Sequence, residues 1–389
     1  MRKIAIYLCV LGLMGCQTLK VDHKSSNEKV FVVNKDGTRE ELTNNGYHGE
    51  GAQHKNIAYD PTNLWDRLGA QFRLPIPKNN AKIEYYKKWY LSHPQHLTVL
   101  AQKARPYLYM VTQNLKKHHM PMELTLLPAI ESTYKTTVYS KHGAAGMWQF
   151  IPMTAKRFGL MINDTYDARR DPLASTEAAI KLFSYLSKEF NNNWNYAIAA
   201  YNSGEGSVAR AIKKNERLHK KTDYWSLDLS EETSNYIPKL LALADIVKNY
   251  KAYGIDLPKI PYHPAVKKID LPVRLDLDIG AKLAQISKDD LIALNAGYKH
   301  KTIKRQKKAL LLPIDKVGIF KKNLAKAKVT YKKVRIAKLY KVKKGDNISA
   351  IARRYKVSLK SLLKMNKLKS DKILIGQVLK LPLSSQENG

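Results

Sequence analysis

The stretch Leu126-Leu127-Pro128-Ala129-Ile130-Glu131-Ser132 places one carboxyl group at the end of an apolar run. Apolar spacing from Leu100 to about Tyr253 predicts helices throughout, and this stretch lies inside one of them. Pro128 has no backbone N–H, so we expect it to kink that helix one turn before Glu131. An apolar setting disfavours the charged form of a carboxyl group and raises its pKa towards the range of a general acid. Most glutamates at helix ends are solvated, so this stretch alone does not establish an active site.

Two downstream stretches strengthen the interpretation of Glu131. Residues 143–150, Gly-Ala-Ala-Gly-Met-Trp-Gln-Phe, are typical of a small-residue turn whose glycines allow a ligand to approach the backbone. Gln149 offers both a donor and an acceptor to an acetamido group. Further on, an apolar helix places the hydroxyl of Tyr201 beside a turn and is expected to stop at Gly204. Each stretch alone could simply form a turn or mark the end of a helix.

In this order and spacing, the motifs resemble the soluble-lytic-transglycosylase family. The matching motifs are Glu131-Ser132, Gly146-Met147-Trp148-Gln149, Ala200-Tyr201-Asn202-Ser203-Gly204, and Tyr236 in Asn235-Tyr236-Ile237-Pro238. The resemblance covers residues 101–255 and implies a mainly α, lysozyme-like catalytic domain. Trp148 stands where many members have Met, as in the membrane-bound lytic murein transglycosylase D branch.

The resemblance implies a lytic murein transglycosylase, a carbon–oxygen lyase that acts on a polysaccharide. Glu131 would protonate the oxygen between MurNAc and GlcNAc, and would then accept a proton as the C-6 hydroxyl attacks the anomeric carbon. The product would be 1,6-anhydro-MurNAc, formed without a cofactor. Six residues would support the acid and bind the substrate: Ser132, Met147, Gln149, Tyr201, Asn202 and Tyr236.

Ordinary glycosidases use two carboxylates, and the sequence offers no obvious partner for Glu131. Glu123 lies eight residues earlier, too far along a helix. Asp164, Asp167 and Asp171 fall in a turn and a helix cap, where structural roles suffice. The missing partner favours transglycosylation. A muramidase or chitinase-like hydrolase remains the alternative, and so does a glycan-binding scaffold with an inactive lysozyme-like domain.

Residues 339–384 show a strand–helix–helix–strand pattern. Tyr340 to Val342 alternates as a strand, and a helix follows the turn at Gly345-Asp346. A second helix is predicted from Leu359 to Met365, and Leu379 to Leu381 closes the unit as a strand. The unit resembles a small α+β (βααβ) LysM module, and LysM modules bind N-acetylglucosamine-containing glycans. The expected partner is therefore the glycan strand of peptidoglycan.

Residues 266–315 are interpreted as an older, degenerate copy of this LysM-like unit. Residues 281–295 parallel 351–366, and Leu310–Pro313 parallels Leu379–Pro382. The Gly-Gln pair before the last strand is missing from the earlier copy. Whether it binds glycan or acts as a spacer is left open. The intervening residues 316–338 are very basic and predict a linker or a solvated helix face.

The N-terminus predicts a secretion signal. Arg2 and Lys3 precede an apolar run from Ile4 to Met14, eleven residues that are too few for a membrane span of about 20. The following Gly15-Cys16 completes a resemblance to the bacterial lipobox, in which the cysteine is lipidated and becomes the first residue of the mature chain. Several acyl chains would give stable anchoring to the membrane.

The residues after Cys16 predict the compartment and the tether. Gln17 replaces the aspartate that marks inner-membrane retention, so the resemblance implies an outer-membrane anchor facing the periplasm. The polar residues 17–58 predict a flexible tether, and 59–100 a helical segment. The aromatic stripe of that segment, from Tyr85 to Tyr90, is interpreted as core packing, with glycan contact as the minority option.

The composition limits which classes of metal, nucleic acid and protein partner the chain is expected to bind. The 389 residues carry 68 Lys and Arg against 33 Asp and Glu, a formal charge of +35, and two cysteines. Two cysteines exclude a disulfide scaffold, and no Cys/His spacing is typical of a metal site. The charge indicates a polyanionic partner, but 26 of the basic residues lie after position 300, beside the glycan-binding unit. The secretion signal and the lack of base-stacking motifs argue against nucleic acid, and the sequence indicates no particular protein partner.

Overall fold

The structure is a computed structural model of the chain. It describes residues 59–271, 275–300, 302–303, 309–326, 338–355, 357–368 and 370–381, together with the backbone of three strands before residue 42. Cys16 and the predicted signal lie outside the described residues. The chain divides into two compact units, residues 1–317 and 318–389, and each is described by itself.

The three early strands are β1 (Thr18–Asp22), β2 (Lys29–Val33) and β3 (Arg39–Glu41). They form an antiparallel sheet in the order β1-β2-β3, within the segment for which the sequence predicts a tether. The β2 sequence Lys-Val-Phe-Val-Val is rich in β-branched and aromatic residues, which favour strands.

Helices dominate the rest of the first unit, as the apolar spacing predicts. They are α1 (Leu64–Gly69), α2 (Ala81–Ser92), α3 (Pro94–Ala104), α4 (Leu108–Lys117), α5 (Leu127–Ser132), α6 (Pro152–Arg157), α7 (Pro172–Glu189), α8 (Trp194–Ser203), α9 (Glu205–Arg217) and α10 (Glu231–Asn249). Helix α10 packs against α1, α2 and α8, and its apolar face is buried. It is therefore the central element of this helical region.

Side-chain caps set the beginning of several of these helices. The Asp171 carboxylate accepts hydrogen bonds from the backbone N–H groups of Leu173 and Ala174, and Pro172 occupies the first turn. This confirms the cap predicted at Asp171-Pro172. Asn193 caps α8 in the same way.

The aromatic residues of the early helices pack mainly in the core. Trp65, Tyr86 and Tyr90 are buried, whereas Tyr85 and Trp89 are half-buried. These contacts agree with the interpretation of the stripe as packing.

A small α+β module follows, which we call the first module (residues 266–313). Its elements are β4 (Val266–Asp270), β5 (Leu275–Asp276), α11 (Leu277–Ala284), α12 (Lys288–Leu294), β6 (Thr302–Ile303) and β7 (Ala309–Pro313). β4 pairs antiparallel with β7, and β5 with β6. Leu294 and Leu311 join the same apolar core as the helices of this unit. This module is therefore packed into the first unit.

Helix α13 (Val317–Lys326) occupies part of the segment for which the sequence predicts a linker or a solvated helix face. Val317 and Phe320, three residues apart, are buried. Apolar residues at this spacing form one face of a helix, which is why the segment is not a plain linker.

The second module (residues 338–381) has the predicted strand–helix–helix–strand order. It comprises β8 (Lys338–Lys341), α14 (Ile348–Arg354), α15 (Leu359–Met365) and β9 (Val378–Leu381), with β8 antiparallel to β9. Its core is small and consists of Val342, Ile348, Ile351, Ala352, Leu362, Leu379 and Leu381.

Two kinds of feature are absent from the part of the chain that the structure describes. None of its helices combines the length and the apolar character needed to cross a bilayer. Nor do its His, Cys, Asp and Glu side chains form a group of three or more that could hold a metal ion.

Candidate active site

The segment around Glu131 is built differently from the sequence expectation. A 3-10 helix, Met122–Leu126, ends where α5 begins, and Pro128 lies in the first turn of α5. The expected kink inside a longer helix is therefore wrong. Proline is well tolerated in a first turn, because its missing N–H has no partner there anyway. Pro128 consequently helps to begin the helix that carries the acid.

Helix α5 ends abruptly, directly after the motif. Thr133 and Tyr134 both adopt the left-handed conformation, with φ of 52° and 57°. Their backbone N–H groups donate to the carbonyl oxygens of Ala129 and Pro128, which closes the helix end. Glu131 thus lies in the last turn of a six-residue helix.

The Glu131 carboxyl group is buried, with 8% of the residue exposed. The hydroxyl of Tyr236 on α10 donates a hydrogen bond to its Oε1 atom. Burial raises the pKa of Glu131 to about 7; the negative charge of Glu232 adds to the effect, whereas the Tyr236 hydrogen bond and the charge of Lys239 oppose it. A carboxyl group with this pKa can both donate and accept a proton near neutral pH.

Ser132 connects α5 to the small-residue loop. Its Oγ lies 3.0 Å from the carbonyl oxygen of Met147 and 3.3 Å from that of Pro128, and it can donate to either. The Met147 side chain is fully buried. The Ser132 hydroxyl and the Met147 carbonyl oxygen therefore hold the loop against α5, and the Met147 side chain packs in the apolar core.

The loop requires a glycine at position 146 because of its backbone conformation and its close contact with Arg169. The φ of Gly146 is 78°, and a Cβ atom there would lie 1.9 Å from the carbonyl oxygen of Arg169. The Gln149 side-chain amide donates to the Gly146 carbonyl at 2.6 Å. Part of the hydrogen-bonding capacity that the sequence assigns to an acetamido group is thus used inside the loop.

The buried ion pair between Arg169 and Asp167 holds this loop in place. The Arg169 guanidinium donates to the carbonyl oxygens of Gly143 and Phe150 at 2.6 and 3.1 Å, and pairs with Asp167 at 2.8 Å. Burial acts to raise the pKa of Asp167, but the hydrogen bonds and charge of Arg169 outweigh it and lower that pKa. Asp167 is structural, as the sequence interpretation holds.

Tyr201 reaches the same loop from α8. Its hydroxyl donates to the Trp148 carbonyl oxygen at 2.6 Å, and its ring stacks on Phe183 with centroids 4.6 Å apart. Burial and the nearby charge of Glu131 raise the pKa of Tyr201 well above its usual value. Gly204, with φ of 82°, ends α8 as predicted.

Asn202 links α8 to α10. Its side-chain oxygen accepts from the Thr233 hydroxyl at 2.8 Å, and its amide donates to Glu232 at 3.1 Å. Among the predicted residues, Tyr236 bonds Glu131 directly, whereas Ser132, Gln149 and Tyr201 bond backbone carbonyl oxygens of α5 or the loop. Met147 contributes the carbonyl oxygen that accepts from Ser132, and Asn202 bonds α10. Cys16 lies outside the described residues.

Sequence reasoning missed two charged groups on α10. Glu232, Tyr236 and Lys239 are spaced i, i+4 and i+7, which places them on one face of the helix. Both Glu232 and Lys239 influence the pKa of Glu131. This spacing is readable once Tyr236 is identified, so the signal was present in the sequence.

Glu123 is not a second acid in this site. It is 1% exposed, and its Oε1 accepts hydrogen bonds from the backbone N–H groups of Arg73 and Leu74. The side chain fixes the segment between α1 and α2.

The sequence matches three described families. Residues 109–224 match the Transglycosylase SLT domain, and 340–382 match the LysM domain. Residues 265–329 match the family described as "Lytic transglycosylase MltD, LysM-like domain". Glu131, the glycine loop and Tyr201 lie within the first match, whereas α10 lies beyond it.

Similar proteins include two curated sequences and a solved structure. The membrane-bound lytic murein transglycosylase D of Escherichia coli (strain K12) is 38% identical over 331 residues, covering 83% of this chain and 73% of that protein. A putative tributyltin chloride resistance protein of Alteromonas sp. (strain M-1) is 46% identical over 110 residues, 28% of this chain and 53% of that protein. The 70 kDa soluble lytic transglycosylase of Escherichia coli aligns with a TM-score of 0.33 and 20% identity, covering 45% of this chain and 31% of that one.

Proposed function

The chain belongs to the membrane-bound lytic murein transglycosylase D family, and we propose that Glu131 is its single acid and base. The proposed reaction cleaves the β-1,4 bond between MurNAc and GlcNAc and leaves a 1,6-anhydro-MurNAc end. The observation that supports it most strongly is the buried carboxyl group of Glu131, with its pKa raised to about 7 and a hydrogen bond from Tyr236.

In the first step, Glu131 donates its proton to the glycosidic oxygen. The bond from that oxygen to the anomeric carbon breaks, and GlcNAc leaves with a 4-hydroxyl group that carries the proton. Because Tyr236 donates to Oε1, Oε2 is the atom that can hold the transferable proton. The 2-acetamido group of MurNAc stabilises the positive charge on the remaining sugar.

In the second step, the C-6 hydroxyl of the same sugar attacks the anomeric carbon. As the new bond forms, the hydroxyl proton passes to the Glu131 carboxylate, which restores the acid. No water is consumed, so one carboxyl group suffices.

A muramidase-type hydrolase is the second candidate function, because Glu232 supplies a carboxylate near Glu131. Hydrolysis requires that carboxylate to activate water on the opposite face of the sugar, or to attack the sugar itself. Glu232 instead accepts a hydrogen bond from Asn202, whose motif joins α8 to α10. This contact favours a structural and electrostatic role for Glu232.

Digestion of purified sacculi followed by mass spectrometry tests the proposal. We expect anhydro-muropeptides; reducing MurNAc ends would identify a hydrolase, and no product would identify a scaffold. Glu131→Gln keeps the size of the side chain but cannot transfer the proton, so the rate should fall by about a hundredfold to ten-thousandfold. Glu177→Gln, at an exposed position on α7, is the matched control. Full activity of Glu131→Gln would refute the assignment.

The second module is proposed to hold the enzyme on the glycan strands, in keeping with its LysM match. Deleting residues 340–389 should weaken sacculus binding more than turnover of soluble fragments. Equal losses in both measurements would contradict a targeting role.

We also propose that Cys16 is lipidated and that the lipid anchors the protein in the outer membrane. The support is the Leu13–Cys16 sequence, the Gln at position 17, and the membrane-bound relative. Incorporation of a labelled fatty acid should be lost in Cys16→Ser, and the variant should be recovered in the soluble periplasmic fraction. Labelling that persists in Cys16→Ser would exclude this anchor.

A further inference from the structure

Lys239 is a charged group beside the active site that the proposed reaction does not use. It lies on α10, three residues after Tyr236, and its side chain is half-buried. Its Nζ lies 5.3 Å from the centroid of the Tyr86 ring, a cation–π contact. Among the described residues, Lys239 forms no ion pair and no hydrogen bond.

An ammonium group in this position is energetically unfavourable without an anion. Removing a charge from water costs free energy unless a close partner compensates it. Burial lowers the pKa of Lys239, while the charges of Glu232, Glu131 and Glu231 act in the opposite direction. None of these three carboxylates forms an ion pair with Lys239. The position is therefore suited to an anion supplied from outside the chain.

Helix α2 forms the wall beside Lys239. Tyr86 is 7% exposed, and one turn earlier Lys82 donates to the Ser234 hydroxyl of α10 at 3.0 Å. This hydrogen bond fixes α2 against α10. Helix α2 precedes the residues that match the SLT family, 109–224.

We propose that Lys239, against the Tyr86 wall, binds a carboxylate of the muramoyl residue in the substrate. The inference rests on the proposed function, since it concerns the sugar whose glycosidic bond Glu131 is proposed to cleave. The carboxylate is either the free lactyl group of a peptide-free MurNAc or a carboxylate of its stem peptide. GlcNAc carries neither group, so Lys239 selects which sugar is placed next to Glu131.

The test uses the full-length protein and three glycan substrates. These are peptide-bearing strands, peptide-free strands with a lactyl carboxylate, and the same peptide-free strands with that carboxylate converted to a methyl amide. Lys239→Met should raise KM about tenfold or more on the strands that carry the bound carboxylate, the effect of one lost charge-assisted hydrogen bond. An effect on peptide-free strands alone assigns the lactyl carboxylate, and an effect on peptide-bearing strands alone assigns the stem peptide. An effect on both shows that the two carboxylates reach the same position beside Lys239.

Controls separate binding from an effect on Glu131. Lys239→Arg keeps the charge and should keep KM within about threefold of the original protein, and Lys248→Met, exposed on the same helix, should change nothing. On the methyl amide strands, Lys239→Met and the original protein should behave alike. An equal fall in kcat on all three substrates, with a shifted pH profile, would overturn the proposal and assign Lys239 to tuning Glu131.

Two further measurements keep the outcome decisive. If Lys239→Met does not fold, the test uses the original protein alone. Its KM must be higher on the methyl amide strands than on the strands that supply the bound carboxylate. Equal KM values on all three substrates refute the proposal. If the original protein forms no anhydro product on any strand, the proposed function fails, which is distinguishable from a change in KM.

Discussion

In the first module, the Asn295 amide donates to the Leu311 carbonyl oxygen at 2.8 Å, and its side-chain oxygen accepts from the Leu311 N–H at 2.8 Å. In the second module, Asn366 makes the same pair of hydrogen bonds with Lys380, at 2.9 and 2.6 Å. Each asparagine also donates to the carbonyl oxygen four residues earlier. The two modules share one polar clamp between the second helix and the closing strand.

The residue held by the clamp shows where the modules differ. Leu311 is 6% exposed and packs in the core of the catalytic unit, whereas Lys380 is exposed. The loop after Asn295 also joins the catalytic unit, since the Asp167 N–H donates to the Gly297 carbonyl oxygen at 2.8 Å. One copy of the fold has become part of the catalytic unit, and the other presents a charged surface.

The two modules also differ in net charge. The first module carries 11 Lys and Arg against 5 Asp, and the second carries 13 against 2. An exposed basic surface attracts polyanions, and that attraction weakens in salt. We therefore expect salt to reduce sacculus binding through the second module.

Substituting each clamped residue by the one found in the other module should give the largest difference in the free energy of unfolding. Leu311→Lys replaces a packed leucine with a charge and should lower the free energy of unfolding by about 4 kcal/mol. Lys380→Leu is a surface change and should alter it by less than about 0.5 kcal/mol. Denaturant unfolding of both variants measures the effect, and equal losses would show that the first module is not part of the catalytic core.

A pH series between pH 5 and 7 should change the stability of the first unit and leave that of the second module unchanged. The folded-state pKa of Glu131 is about 7 and its ordinary value 4.5, so the folded state binds the proton more tightly. Its contribution to stability is therefore present at low pH and is lost as the pH rises to about 7, by up to about 3 kcal/mol. The second module contains no His or Glu and should not respond.

Tryptophan fluorescence makes this measurement selective, because all five Trp residues lie before residue 226. Glu131→Gln should flatten the pH dependence of fluorescence-detected unfolding in this range. A dependence that survives in this variant would assign the titration to another group, with Glu123 the first to examine, since burial raises its pKa as well.

Removing the clamp asparagine from each module should give the smallest of these changes in the free energy of unfolding. Asn295→Ala leaves buried backbone groups of Leu311 without partners and should cost about 2 kcal/mol. Asn366→Ala exposes the equivalent groups of Lys380 to water and should cost about 1 kcal/mol. Thermal unfolding of the two variants compares these values; a larger loss for Asn366 would show that the small second core depends more strongly on its clamp.

Local patterns in the sequence predict much of this structure. The capped start of α7 and the stop of α8 at Gly204 depend on a few adjacent residues, and so do the two helices of the second module. The motif order around Glu131 adds the identity of the site. In each case, the necessary information lies within a short stretch of chain.

The features that sequence reasoning missed arise between distant segments. Glu232 reaches the site because α10 packs across α8, and Tyr86 faces Lys239 because α2 packs on α10. The start of α5 was placed wrongly because Pro128 fits a first turn as well as a kink. No local pattern specifies these contacts, since they depend on tertiary packing.

The contact between Gly146 and the Arg169 backbone also limits how this enzyme can change. A side chain at position 146 would collide with main chain, which cannot move aside as a flexible side chain does. Any substitution at this position therefore requires the main chain of the loop or of Arg169 to shift. Changes that alter the reaction's selectivity without moving this main chain have to arise at other positions.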